Sequence, residues 1–469
     1  MFKDPATEKR YGERMDRYAT AMACGTPDRI PIRFLFQEAA AHYAGYTNQQ
    51  VSCDYDLAFE ATRRMAEDIG SDAVMLNAIW GNYGVAKSAS WKYIHVPGVD
   101  TGTDNVIQFS EPELESEEYL RFDEYEEFID DPTGFLFTKW FPRYTTRLAI
   151  PGEPVTFDHN ATLISGALAF GNYMHAFGPA ADKLKYESGV VNATAGVIKA
   201  PFDLLTDKFR GYLNMTRDTI KHPEMVRKAC EALMPHILTN ALAGADPDKK
   251  VPITIWAHRG CVPYFNRKTF DEIFWPTLKP VFEEVIAKGY QILFYSEGNW
   301  EAHYDALLEL PAGSIIYHFD KGDPVRAAKA FKGHFAISGG LPYDVLAHGT
   351  TGDVRREMKE LFSVMKPEGG YILDCSALML SDINPENIKV AVDYTMEHGV
   401  YSQSSAAIKR ETPVAHGIPK GKRPAGSVRT WEEESSGYAC LSGDTELVKR
   451  SWQENDLSAY RYLWTTALW

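Results

Sequence analysis

The chain has 469 residues, of which 45% are hydrophobic and 24% are charged, a balance typical of a protein that buries a large core. Its formal net charge of −15 argues against a nucleic-acid partner, because such binding needs clustered Lys and Arg. The charged first residues lack the apolar stretch of a signal peptide, and no apolar run of membrane-spanning length follows. The six cysteines are scattered, which suits reduced thiols in a cytoplasmic protein.

Eight short runs with the composition of strands recur along the chain. They are residues 30–36, 73–77, 196–201, 253–257, 291–295, 314–318, 334–338 and 370–375. Several are followed by amphipathic helical stretches, for example 270–288 and 351–365. Strands that alternate with helices indicate a parallel sheet with crossover helices. Eight such strands predict an α/β fold, a (β/α)8 barrel over residues 1–400.

Two segments of the chain lie outside the eight strand-and-helix units that a barrel requires. Residues 85–190 contain stretches rich in Gly, Pro and aromatic side chains and are far longer than an ordinary strand-to-helix connection. We expect them to form an inserted lid or cap near the top of the barrel. From residue 401 the chain becomes polar and rich in Gly and Pro, and it ends in an aromatic tail. This extension, 401–469, is expected to pack on the barrel or against a second subunit of a homodimer.

Polar residues follow or end several predicted strands, and in a barrel these positions point into the catalytic mouth. Asn77 ends the second strand, His258 follows the fourth, Glu297 follows the fifth, His318 ends the sixth, and Asp374 and Cys375 end the eighth. Imidazole, carboxylate and thiolate groups are ligands of zinc. We therefore predict a zinc ion held by Glu297 and His318, with a third ligand among Cys375, Asp374 and His258.

Each of these residues also has a simpler interpretation. A Glu that follows a strand is commonly a solvated loop charge or lies near a helix cap. A single His such as His318 is more often hydrogen-bonded in the core, and a Cys such as Cys375 more often contributes packing. The sequence contains neither the nucleotide-binding motif GxxxxGK[ST] nor the serine-hydrolase motif GxSxG.

Three runs of the sequence resemble the uroporphyrinogen decarboxylase superfamily. They are KAPFDLLTDKFRGYLNMTRDTIKHPEMV, SGGLPYDVLAHGTTGDVRREMKELF and GGYILDCSALMLSDINPENIKVAVDYTMEHG. The opening GTPDRIPIRF is similar to the first strand of that family, so the resemblance covers about residues 20–400 without 85–190. It implies a (β/α)8 barrel and one of two activities, decarboxylation or corrinoid-dependent methyl transfer.

The decarboxylases of this superfamily carry an Arg-rich segment after the first strand, and an Asp after the second strand that binds the pyrroles. The corresponding segments of this chain are FLFQEAAAHY and NAIWG, which contain neither the Arg residues nor the Asp. Their absence argues against tetrapyrrole decarboxylation. The methyltransferases that use coenzyme M hold zinc through His-x-Cys after the fifth strand and Cys near the end of the eighth. Here Tyr295 and Glu297 occupy the first pair of positions, and Cys375 lies close to the other.

The Glu297 and His318 spacing is similar to that of the substrate-side methyltransferases in anaerobic O-demethylase systems. Zinc held by Glu and His would be a harder Lewis acid, suited to polarising an oxygen. The resemblance thus implies transfer of a methyl group from an aryl methyl ether to cob(I)alamin on a separate corrinoid protein. His258 would protonate or orient the departing oxygen, with Glu297 and Asn77 beside it. The alternatives are methyl transfer from the corrinoid protein to a folate or thiol, a tetrapyrrole decarboxylase, and a non-catalytic barrel scaffold.

Overall fold

A computed structural model describes residues 1–76, 83–112, 119–405, 408–411 and 413–468 of the chain. Eight parallel strands build the barrel, and we number them one to eight in chain order. They are Arg33–Phe34, Ala73–Val74, a third strand in two parts (Val191–Asn192 and Val197–Lys199), Ile253–Ala257, Ile292–Asn299, Ile315–Lys321, Ala336–Gly339 and Tyr371–Ile372.

Each strand pairs with the next one along the chain within two sheets. The two parts of the third strand join the sheets, and a parallel bridge between Ile32 and Leu373 connects the first strand to the eighth. Every predicted strand run overlaps an observed strand. The predicted (β/α)8 barrel is therefore confirmed.

The α-helices lie between and beyond these strands. They are Pro5–Met22, Glu38–Tyr43, Asn48–Cys53, Tyr55–Asp68, Tyr83–Ser88, Tyr125–Asp130, Pro132–Phe135, Phe141–Tyr144, Phe157–Tyr186, Pro201–Leu205, Tyr212–Lys221, Pro223–Ala243, Arg267–Thr269, Trp275–Ala287, Tyr304–Leu307, Pro324–Phe331, Tyr343–His348, Thr351–Met365, Pro385–His398, Trp431–Ser435 and Thr445–Leu468. Many begin at a side-chain cap; for example, Thr350 and Asp353 form a capping box at Thr351–Met365.

Side chains that point into the barrel form layers, because neighbouring parallel strands in register send matching residues to the same side. The register joins Trp256, Tyr295, His318 and Ser338 from strands four to seven. The ring of Tyr295 stacks on Trp256 at a centroid distance of 4.1 Å and on His318 at 3.9 Å. This row of stacked rings, which we call the aromatic floor, closes the barrel interior below the mouth.

A buried ion pair joins the first and eighth strands at the aromatic floor. Arg33 and Asp374 are almost completely buried, and Arg33 Nε donates to Asp374 Oδ2 at 3.1 Å. Arg33 Nη2 also donates to Ser338 Oγ at 3.0 Å. Burial raises the pKa of Asp374 to about 6, although Arg33 opposes this shift. Each charge is thus tolerated in the interior only because the other is present.

Residues 85–190 contain a short antiparallel hairpin, Ile94–His95 with Gln108–Phe109, and the whole of the helix Phe157–Tyr186, which we call the long helix. The extension after residue 400 ends in Thr445–Leu468, which we call the C-terminal helix.

The C-terminal helix packs on the barrel through His236, whose ring stacks on Trp464 at 4.1 Å. The ring Nδ1 of His236 lies 2.7 Å from the hydroxyl of Tyr460. Burial lowers the pKa of His236 to about 3, so this contact is between neutral groups. None of the helices in the described ranges has the length and apolar character that crossing a membrane would require.

Replacing Arg33 by Met is expected to destabilise the fold strongly, because it leaves Asp374 buried without its cation. Loss of one partner from a buried pair costs about 3–5 kcal/mol of unfolding free energy, which urea unfolding measures. Arg326→Met is the matched control, since that guanidinium is 72% exposed beside Glu301, and it should change the value by less than about 1 kcal/mol. Equal effects of the two substitutions would contradict the structural role of the buried pair.

Candidate active site at the barrel mouth

A cavity of about 1570 Å³ opens at the C-terminal ends of the strands. It continues between the long helix and the C-terminal helix towards the other end of the barrel, where Tyr11 and Asp246 line it. Its walls at the mouth come from three parts of the chain. They are Gln37 and Glu38 after the first strand, Lys199, Asp207, Trp256, His258 and Glu297 from strands three to five and the turns that follow, and Tyr93, Phe109 and Glu111 from residues 85–190.

His258 is surrounded by carboxylates. It directly follows the fourth strand, where its backbone N–H donates to Asp203 Oδ2 at 2.7 Å. The ring Nε2 lies 3.1 Å from Asp207 Oδ2. The ring Nδ1 lies 3.5 Å from Asp203 Oδ2 and 4.0 Å from Glu297 Oε2. Nδ1 makes no hydrogen bond, although both of these carboxylates lie within ion-pair distance of it.

These carboxylates make His258 a cation at neutral pH. Burial by itself lowers the pKa of His258, but Asp207 and Asp203 outweigh it and raise the pKa to about 9. The imidazolium therefore presents one N–H to Asp207 and a second N–H, at Nδ1, on the side of Asp203 and Glu297. A positioned N–H of this kind can act as a general acid.

Asp207 holds His258 through a wider charge network. Lys199 Nζ donates to Asp207 Oδ2 at 2.7 Å, and Arg259 Nε donates to Asp207 Oδ1 at 3.0 Å. Burial raises the pKa of Asp207, but His258 and Lys199 together hold it well below the usual value. The carboxylate is thus ionised and fixed. Arg259 also pairs with Glu111, which ties residues 85–190 to the mouth.

Glu297 shares the mouth layer with His258 and Asp320. The register of the fifth and sixth strands shifts between Ser296 and Asn299, and the charge of the nearby Glu297 helps to raise the pKa of Asp320. Asp320 Oδ2 accepts a hydrogen bond from the backbone N–H of Gly298 at 2.7 Å. The carboxylate of Glu297 is 34% exposed. Two of the predicted site residues, His258 and Glu297, are therefore brought together.

His318 belongs to the aromatic floor rather than to the mouth layer. Its Nε2 lies 3.1 Å from the carbonyl oxygen of Ser376, so Nε2 carries the ring proton. Nδ1 then accepts from Arg33 Nη2 at 3.3 Å and from Ser338 Oγ at 3.2 Å. Burial and the positive charge of Arg33 hold the pKa of His318 well below its usual value. The ring is neutral, and both of its nitrogens are used.

The predicted zinc ligands are not brought together as one group. The carboxylate that approaches His318 is Asp374, at 3.8 Å, whereas Glu297 approaches His258. Cys375 is buried, and burial raises the pKa of its thiol far above the usual value. Within the described ranges, no three His, Cys, Asp or Glu side chains are grouped so that they could hold a metal ion. In this arrangement Glu297, His318 and Cys375 do not fit a zinc ion.

Asn77, the remaining predicted site residue, lies outside the described residues. Its predicted catalytic role stays a prediction.

Comparison with known proteins is consistent with the fold. Residues 171–398 match the family model of uroporphyrinogen decarboxylase (URO-D). This part of the chain is therefore similar to that family. Among solved structures, the chain is similar to a methyltransferase from Methanosarcina mazei, with 14% sequence identity and a TM-score of 0.55 over 82% of this chain and 98% of that one. No curated protein sequence matches the chain. The family resemblance seen in the sequence is confirmed.

Four charged residues near the mouth, all within residues 171–398, were not predicted from the sequence. Lys199 ends the third strand, but the run predicted from the sequence continued to Pro201, so the strand-end argument did not single it out. Asp203 and Asp207 lie four residues apart, which places both carboxylates on one side of a helical turn. Arg259 follows His258 directly, and no pattern marks it out.

The pKa of His258 can be tested directly by NMR titration of protein labelled with carbon-13 histidine. The signal that His258→Gln removes should titrate near pH 9, and Asp207→Asn should move its midpoint down because the main stabilising anion is lost. Asp393→Asn, an exposed carboxylate of Pro385–His398, is the control and should change nothing.

The same shift predicts a pH dependence of stability. In the unfolded chain the pKa of His258 is about 6.5, and in the folded protein it is about 9. The protonated His258 therefore adds to the free energy of unfolding. This contribution is complete below pH 6.5 and is lost as pH rises through about 9. A midpoint below pH 6.5 for the His258 signal would contradict the carboxylate-held imidazolium.

Proposed function

We propose that the protein is a methyltransferase that takes the methyl group of an aryl methyl ether and passes it to cob(I)alamin on a separate corrinoid protein. The observation that carries the proposal is the imidazolium of His258, a residue that lines a large cavity and is held by Asp203 and Asp207. The match to the URO-D family and the likeness to a solved methyltransferase support it.

An aryl methyl ether needs an acid because phenolate is a poor leaving group. The conjugate phenol has a pKa near 10, by analogy with Tyr at about 10, and His258 has one of about 9. Proton transfer between groups of matched pKa is efficient in general acid catalysis. As the C–O bond breaks, the oxygen keeps the bonding pair and takes the proton from Nδ1. Cob(I)alamin, when bound, supplies the electron pair for the new bond to the methyl carbon.

The neighbours of His258 suit both of its protonation states. After Nδ1 gives up its proton, Nε2–H still faces Asp207, so the neutral ring keeps its orientation. Glu297 lies on the Nδ1 side and favours a proton there. The ionised Asp207 stabilises the imidazolium before the transfer. These residues position and charge the acid without any further group.

The cavity walls suit an aromatic substrate. Tyr93, Phe109, Phe137 and Trp256 line the cavity beside apolar side chains such as Leu378. Aromatic rings contact a planar apolar ligand over a large area. The first strand is followed by Gln37 and Glu38 rather than by cations, which disfavours the polycarboxylate substrate of a tetrapyrrole decarboxylase.

Replacing His258 by Gln should slow methyl transfer from anisole by roughly 10²–10⁴-fold at pH 7, the usual contribution of a general acid. The measurement is single-turnover methylation of excess cob(I)alamin, followed by its visible spectrum. The wild-type rate should fall as pH rises through about 9, because His258 loses its proton, and the variant should lack this decline. His348→Gln, at an exposed histidine whose side chain is 67% accessible, should keep the wild-type rate.

Two results would overturn the proposal. A His258→Gln variant with the wild-type rate would remove the acid role. A wild-type protein that methylates cob(I)alamin with none of a panel of aryl methyl ethers would remove the assigned reaction.

A further inference from the structure

The long helix exposes large apolar side chains along one face. Phe157, Ile164 and Leu168 are 87%, 60% and 64% exposed. From residue 159 to residue 181 the chain contains no Asp, Glu, Lys or Arg, although much of this stretch is exposed. A contiguous exposed apolar patch on a globular protein marks a surface that binds another molecule.

Two glycines continue the row of large side chains. Phe157, Ile164, Gly171 and Gly178 follow one another at every seventh residue, about two helical turns, so they lie on one face of the helix. The large residues occupy the N-terminal half of this row and the glycines the C-terminal half. A Cβ added at either glycine would meet no atom within 4 Å. The row therefore consists of two projections followed by two open hollows.

We infer that the protein forms a homodimer in which the long helices of two copies pack against each other in antiparallel orientation. A two-fold axis at the middle of the row places Phe157 over the partner's Gly178. The same axis places Ile164 over the partner's Gly171. Both copies then use the same surface, as a two-fold interface requires. This inference is independent of the proposed function.

The charges at the ends of the long helix favour the antiparallel orientation. Glu153 and Asp158 lie at its N-terminal end, whereas Lys183 and Lys185 outnumber Asp182 at its C-terminal end. An antiparallel pair brings the acidic end of each helix beside the basic end of the other, and the helix dipoles are then opposed. A parallel pair would bring like charges together and would set each large side chain against its own copy.

The same helix forms one wall of the large cavity. Ala167, Gly171 and Gly178 line this cavity, which continues between the long helix and the C-terminal helix. A partner helix seated over the two glycines therefore also borders the cavity. The second copy thus adds to the enclosure of the candidate site.

Sedimentation equilibrium of the full chain at micromolar concentration tests the dimer. We expect a mass twice the chain mass of 52.7 kDa. Gly171→Ile should halve this mass, because the new side chain fills the hollow that receives Ile164. A single copy has room for this side chain, and loss of a helical glycine favours the helix. Gly12→Ile is the matched control, since Gly12 lies in the helix Pro5–Met22 with the same open space, and it should keep the dimer mass.

Ile164→Gly is the complementary variant because it removes the projection that fills the hollow. Alone it should also lose the dimer mass. A one-to-one mixture with Gly171→Ile should recover that mass, since each isoleucine of one chain then faces a glycine of the other. Ile220→Gly, at an exposed isoleucine of the helix Tyr212–Lys221, is the control and should keep the dimer mass. Circular dichroism checks that every variant is folded.

Three results would overturn the inference. The first is a wild-type mass of 52.7 kDa, including the case in which the monomer cosediments with phosphatidylcholine vesicles, since the apolar face would then bind a membrane. The second is a dimer that both single variants leave unchanged, because its interface would lie elsewhere. The third is a mixture of the two variants that stays monomeric, which would contradict the antiparallel register. Recovery of the dimer only in the mixture supports the inference.

Discussion

The register of the eight parallel strands decides which side chains meet at the mouth of this barrel. Inward positions recur every second residue, so each layer takes one residue from each neighbouring strand. Tyr295 and His318 share one layer, and Glu297 and His258 lie in the layer above. The lower layer is packed with rings and the buried Arg33–Asp374 pair, which makes it a rigid floor. The charged side chains Glu297 and His258 therefore lie in the upper layer, beside the cavity.

The balance of buried charges around His258 determines its protonation state at the mouth. Two acidic side chains from the turn after the third strand hold the imidazolium of His258, and Lys199 and Arg259 offset the excess negative charge at Asp207. Because the cations and anions are buried together, each shifts the pKa of its neighbours. The result is a protonated histidine with a pKa of about 9 beside a largely apolar cavity.

Much of this architecture could be predicted from the sequence. Local composition and alternation located all eight strands, and the strand-end rule found His258 and Glu297. The sequence did not reveal how far each strand extends. The sixth strand was predicted to end at His318, but it continues to Lys321, so His318 lies in the floor and Asp320 in the mouth layer.

The account depends most on proton donation by His258 to the departing oxygen. Its most direct test is the rate of methyl transfer to cob(I)alamin from anisoles whose ring substituents vary the pKa of the phenol released. With an acid at the oxygen, the logarithm of the wild-type rate should depend only weakly on that pKa, and His258→Gln should show a much steeper dependence. The same steep dependence in both proteins would contradict the account, because it would show that the phenol leaves without a proton from His258.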